Sequence, residues 1–174
     1  YIAKEPYAQI NGIVTDNAMT GVSYQTDEVC LNGLYIGGDS VYEIKDSQFD
    51  MTGHGIDDFA GIGAAVMVND DAKCEMENVN VTTHGVIRPC TVVTGEMEPP
   101  PGLKLGGNCR THLSMGNSRA YFYDSKILAH SWAALSTDGS NGDLYLEANN
   151  CDVVCETVGY GTYADNGCHN VLND

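Results

Sequence analysis

Leu34-Tyr35-Ile36-Gly37-Gly38-Asp39-Ser40-Val41-Tyr42-Glu43-Ile44-Lys45-Asp46-Ser47-Gln48-Phe49 decides the fold, because it recurs. It lies without a gap over Val66-Met67-Val68 through Met76-Glu77-Asn78-Val79-Asn80-Val81 at an offset of 32 residues. It returns, one residue shorter, as Leu113-Ser114-Met115-Gly116-Asn117-Ser118 through Phe122-Tyr123-Asp124-Ser125-Lys126-Ile127. Each copy reads as apolar alternation, a Gly/Asn/Asp turn, a second apolar alternation, then Asp or Asn before another apolar pair. Self-similarity at a period of roughly 20–50 residues marks a stacked architecture, in which a single unit cannot bury its own apolar face and its neighbours do so.

Leu144-Tyr145-Leu146-Glu147-Ala148-Asn149-Asn150-Cys151-Asp152-Val153 extends the series about 24 residues on, with Leu146 aligned to Ile44 and Cys151 to Phe49. The segments are short, rich in Val, Ile, Tyr and Met at period two, and punctuated by Gly, Asn, Asp and Ser. That is strand and turn chemistry. The predicted fold is all-β: a right-handed parallel β-helix with coils of about 24–32 residues, whose matching residues stack ~4.8 Å apart. Ile44, Met76, Phe122 and Leu146 are expected to form one internal column, and Phe49, Val81, Ile127 and Cys151 another.

The 174 residues, 43% of them hydrophobic, read as one domain. One long insertion, Glu96 to Arg110, interrupts the third coil with Pro99-Pro100-Pro101-Gly102 and Gly106-Gly107-Asn108, a stiff arm returning through flexible glycines. His169-Asn170-Val171-Leu172-Asn173-Asp174 aligns with Tyr42 to Ser47, Val171 over Ile44, so the repeat is expected to continue in a longer solenoid or to be completed by a second chain.

A formal charge of −16 with only 8 Lys and Arg, scattered along the chain, argues against nucleic acid, whose phosphates need clustered cations. There is no apolar run of 18 residues that would span a membrane as a helix. An acidic, Gly- and Asn-rich solenoid fits an extracellular or cell-surface setting, where charge keeps a repetitive β structure dissolved. The seven cysteines show no CxxC pair and no zinc spacing. Cys74 falls in register with Tyr42 and reads as a small core filler.

Two polar ladders carry the candidate chemistry. The first follows the turns and contains Asp39, Asp70, Asp138 and Asp165, oxygen ligands of the kind calcium takes. The same residues equally supply the positive φ and side-chain hydrogen bonds that tight turns need. No other cofactor is expected. The second comprises Gly53-His54-Gly55, Thr83-His84-Gly85, Ala129-His130-Ser131 and Val158-Gly159-Tyr160, which place His54, His84 and His130 at comparable corners. Asp57, Asp58, Arg88, Trp132, Tyr160 and Tyr163 lie a few residues on. Imidazoles beside carboxylates and a fixed cation are the ingredients of acid/base work, and the aromatic rings offer a surface to a sugar.

The repeat resembles the pectin-lyase-like right-handed parallel β-helix superfamily. Gly53-His54-Gly55, Asp57-Asp58 and Ser136-Thr137-Asp138-Gly139 are similar to motifs of its polygalacturonase-type glycoside hydrolases, where paired carboxylates serve inverting hydrolysis. Here the three motifs run in the reverse order and Ile87-Arg88-Pro89 stands where that family has Arg-Ile-Lys, so the resemblance implies the fold and carries no catalytic roles. Two functions remain. The favoured one is a surface β-helix of adhesin type that binds a glycan or small hydroxylated ligand. The alternative is a hydrolase, lyase or isomerase acting on a carbohydrate, with acid/base residues on the His54/His84/His130 face.

Overall fold

The computed structural model describes residues 7–10, 13–14, 17–28, 33–53, 64–84, 91–94, 118–130, 132–138, 144–157, 159–164 and 168–174. The described residues are all-β. In chain order the strands are β1 (Tyr7–Ile10), β2 (Ile13–Val14), β3 (Ala18–Thr20), β4 (Ser23–Thr26), β5 (Leu34–Gly37), β6 (Val41–Lys45), β7 (Gln48–Met51), β8 (Val66–Val68) and β9 (Lys73–Glu77). There follow β10 (Asn80–Thr83), β11 (Thr91–Thr94), β12 (Arg119–Tyr123), β13 (Lys126–Ala129), β14 (Trp132–Asp138), β15 (Tyr145–Asn149), β16 (Asp152–Cys155), β17 (Gly159–Ala164) and β18 (His169–Asn173).

From β5 onward the chain deals its strands in rotation into three sheets. The first runs β17-β14-β11-β8-β5-β1-β2, the second β18-β15-β12-β9-β6-β3, and the third β16-β13-β10-β7-β4. All pairings are parallel except those of the β1–β2 hairpin, which lies antiparallel along β5 and covers that edge of the first sheet. A parallel pair needs a crossover connection. Here the crossover is the two intervening strands, so each apolar alternation of the sequence becomes one strand of a different sheet.

The inward positions form continuous columns. Ile44, Met76, Phe122 and Ala148 are paired neighbours in the second sheet, as are Tyr42, Cys74, Ala120 and Leu146. Phe49, Val81, Ile127 and Val153 align in the third. With Leu34, Ile36, Val66, Val68 and Leu135 they make one hydrophobic core, in which Tyr42, Phe49 and Phe122 are wholly buried. Each such side chain contributes about 1.5–3 kcal/mol relative to exposure.

Four expectations are corrected by this register. Leu146 stacks on Ala120, two residues from the expected place, and Val153 takes the position expected for Cys151. Leu172 extends the Ile44 column in place of Val171. The third round draws its first-sheet strand from Thr91–Thr94, ahead of the insertion, because β11 sits between β8 and β14. The Glu96 to Arg110 insertion and Leu113 to Asn117 lie outside the described residues.

The bend from second to third sheet is set by one residue per round. Asp46, Asn78, Asp124 and Asn150 have φ of 48°, 51°, 49° and 51°, the left-handed region that Asp and Asn tolerate best among residues with a side chain. Asn78 Nδ2 donates to Asp46 Oδ1 at 2.7 Å and Asn150 Nδ2 to Asp124 Oδ1 at 2.5 Å. The alternation of Asp with Asn keeps like charges from stacking at a strand spacing. Beside it, the Ser47 hydroxyl donates to Lys45 O at 2.7 Å and accepts from the Val22 N–H at 3.2 Å, and Ser125 does the same with Tyr123 O at 2.7 Å and the Val79 N–H at 3.1 Å. Each serine thus ties its own bend to the preceding round.

In the last round the Tyr42 column turns polar. Asn170 stands opposite Leu146, and its amide is engaged by Thr137 Oγ1 (2.8 Å), Thr162 Oγ1 (2.7 Å) and Tyr163 O (2.8 Å). A half-buried amide so satisfied avoids the penalty of an unpaired polar group.

Candidate functional site

The strand register brings His84 and His130 into succession. His84 and His130 each follow a third-sheet strand directly: the His84 N–H donates to Met51 O at 2.9 Å and the His130 N–H to Thr83 O at 2.8 Å. Thr52, whose N–H donates to Thr26 O, holds the corresponding place one round earlier. His84 therefore stacks toward Thr52. His84 Nε2 lies 2.8 Å from Asp50 Oδ1, while Gln25 Nε2 donates to Asp50 Oδ2 at 3.3 Å. His130 Nδ1 lies 3.4 Å from Glu156 Oε2. Both imidazoles are about half exposed, at 50% and 42%.

His54, Asp57, Asp58, Arg88 and Asp165 lie outside the described residues, as do the side chains of Trp132 and Asp138. Trp132 opens β14 opposite Gly159. Tyr160 and Tyr163 hold their rings 5.6 Å apart, Tyr160 exposed and Tyr163 half-buried. Asp39 is exposed at its turn. Asp70 is buried, has a φ of 56°, and accepts the Gly38 N–H on Oδ2 at 2.9 Å, which is turn chemistry. Among the described residues no group of three or more His, Cys, Asp or Glu is placed to hold a metal. Cys74, Cys151, Cys155 and Cys168 are free thiols, and burial pushes the Cys74 thiol far up from its ordinary range, so it is inert.

A further cluster lies on the outward face of the second sheet, which reading the inward alternation alone passes over. Paired positions place Lys73, Arg119 and Tyr145 in one outward row, Glu75, Tyr121 and Glu147 in the next, and Glu77, Tyr123 and Asn149 in a third. The Tyr121 and Tyr145 rings are 5.9 Å apart and tilted by 43°. Lys73 Nζ stands 5.2 Å from the Tyr121 ring centre and 2.6 Å from Glu75 Oε1. The Arg119 guanidinium stands 5.8 Å from the Tyr145 ring. Such cation–π contacts are worth about 0.5–1 kcal/mol at exposed sites, and they hold the rings in place.

Glu147 is the fixed polar point of this face. Its Oε2 accepts the Tyr145 hydroxyl at 2.7 Å and its Oε1 the Asn173 amide at 3.3 Å. The Tyr145 hydrogen bond, first, and those from Asn149 and Asn173 hold the Glu147 carboxyl below the usual value, while the same Tyr145–Glu147 bond raises the phenol. A lowered carboxylate loses its contribution as pH falls through the folded value, and a raised phenol as pH rises through its own. The pair is thus intact across the neutral range. The period-two run Arg119-x-Tyr121-x-Tyr123, with Tyr145-x-Glu147 after it, is the sequence signal for this face. Comparisons with protein-family models, with curated proteins and with solved structures find no match, so the functional reading rests on the chemistry of these side chains.

Proposed function

We propose that the chain is a right-handed parallel β-helix of the pectin-lyase-like kind, a secreted or cell-surface protein of adhesin type that binds glycan without chemically altering it. The rotation of strands through three sheets and the one-residue bend at Asp46, Asn78, Asp124 and Asn150 support the architecture. The acidic composition supports the setting.

The observation that carries the binding role is the pair of outward rings, Tyr121 and Tyr145, on consecutive strands. A tyrosine ring covers the C–H face of a pyranose and keeps a polar edge for hydroxyls. An extended glycan running across the strands advances by about one strand spacing, ~4.8 Å, per sugar, so successive sugars meet successive strands. Glu147, Asn149 and Asn173 then supply fixed acceptors and donors at the margin. The double variant Tyr121→Ala/Tyr145→Ala tests this on a glycan array. Loss of at least about tenfold in affinity, with an unchanged circular dichroism spectrum, is expected. Undiminished binding by the variant, or no glycan bound by the natural chain, contradicts it.

The catalytic alternative has one specific observation in its favour, the His84–Asp50 pair at 2.8 Å, a carboxylate-oriented imidazole. On that reading His84→Ala abolishes turnover of a carbohydrate and leaves glycan binding at the tyrosine face intact.

A further inference from the structure

We infer that the tyrosine face of the second sheet selects a positively charged amino-sugar polymer over neutral and acidic glycans, an inference that rests on the glycan-binding reading above. The charges of the outward rows decide it. Lys45 is held by Glu77 at 3.2 Å and Lys73 by Glu75 at 2.6 Å, so two of the cations of this face are already matched by carboxylates of the same face. Arg119 lies over the Tyr145 ring, where it props the platform.

Glu43 and Glu147 then stand as carboxylates with no cation bonded to them among the described residues: Glu147 is paired with Tyr121 and shares its strand with Tyr145, and Glu43 lies two strands from Tyr121 in the same outward row, beyond Glu75. Glu147 keeps one lone pair of each oxygen engaged by the Tyr145 hydroxyl and the Asn173 amide. A carboxylate accepts about four hydrogen bonds, so it retains acceptor capacity toward a ligand ammonium. The chain as a whole carries a charge of −16, a field that repels uronates and sulfated sugars and attracts cations. A sugar face for the rings and an ammonium for the carboxylates coincide in a glucosamine polymer.

Titration calorimetry at about pH 5.5, where the ligand amine is protonated, compares hexamers of β-1,4-linked glucosamine, N-acetylglucosamine and mannuronate. The glucosamine hexamer is expected to bind at least about tenfold more tightly than the other two. Glu147→Gln, which keeps the shape and removes the charge, is expected to bring that ratio toward one, and hexalysine is expected not to displace the bound saccharide. Equal affinities for the three saccharides, a preference for mannuronate, an unchanged ratio in Glu147→Gln, or displacement by hexalysine overturns the charge selection while leaving the glycan reading in place. If none of the saccharides binds, both are overturned.

Discussion

Phe122→Ala is expected to lower the unfolding free energy by about 3–5 kcal/mol, the usual cost of emptying a fully buried aromatic site. Phe122 is wholly buried and stacked between Met76 and Ala148 of the flanking strands. Ala148 is already small, so it cannot fill the space, and the paired backbones on both sides fix the strand spacing and prevent collapse. Urea denaturation measures the effect. A fall in midpoint with an unchanged slope is the expected result. A loss under about 1 kcal/mol would show that Phe122 does not occupy the column.

Gly33→Ala is expected to cost about 2–3 kcal/mol by overpacking. An added Cβ at Gly33 would fall on the carbonyl oxygen of Ala65, with Met51 Sδ at 3.2 Å. The methionine can swing aside. The carbonyl cannot, because it accepts the Leu34 N–H at 2.8 Å where the chain enters the first sheet. Gly21 is the informative contrast, since nothing lies within 4 Å of a Cβ there and only its φ of 68° opposes a side chain. Denaturation of both variants should rank Gly33→Ala as the more damaging. Equal or reversed losses would mean that the Gly33 backbone does not approach Ala65.

The repeat was legible because each round uses the same chemistry: an apolar alternation for each strand and one Asp or Asn at the tight bend. Its register was legible only in part. A slip of two residues leaves every side chain on the same face of a strand, so alternation alone cannot distinguish Leu146 over Phe122 from Leu146 over Ala120. The bend could have settled it. Asn150 must align with Asp46, Asn78 and Asp124 because all four carry the left-handed φ, and that alignment places Ala148 against Phe122. Val171 failed for a different reason: a one-residue slip exchanges the faces, and the polar Asn170 occupies an inward position where the pattern demanded an apolar residue. The β1–β2 hairpin breaks the repeat, and its antiparallel pairing with β5 left no trace in the periodicity.

The candidate site was less legible than the fold. Three histidines at one corner looked like a shared site; His54 lies outside the described residues, and the strand register brings His84 and His130 into succession, each beside its own carboxylate. The tyrosine face was written in the outward half of the alternation, where single residues such as Tyr121 and Tyr145 look like ordinary surface. Their proximity depends on the 26-residue separation of neighbouring rungs, the spacing seen between Asp124 and Asn150. Without that register no sequence pattern places one ring beside the other.

That register is the central claim, and cross-linking tests it most directly. Tyr123 and Asn149 are paired on adjacent parallel strands, at a separation a disulfide can bridge. Tyr123→Cys combined with Asn149→Cys is expected to form a disulfide on mild oxidation, mapped by mass spectrometry of the digest against the native thiols. Tyr123→Cys combined with Glu147→Cys is expected to remain reduced under the same conditions. Efficient cross-linking of the second pair and none of the first would contradict the register, and with it the juxtaposition of Tyr121 and Tyr145.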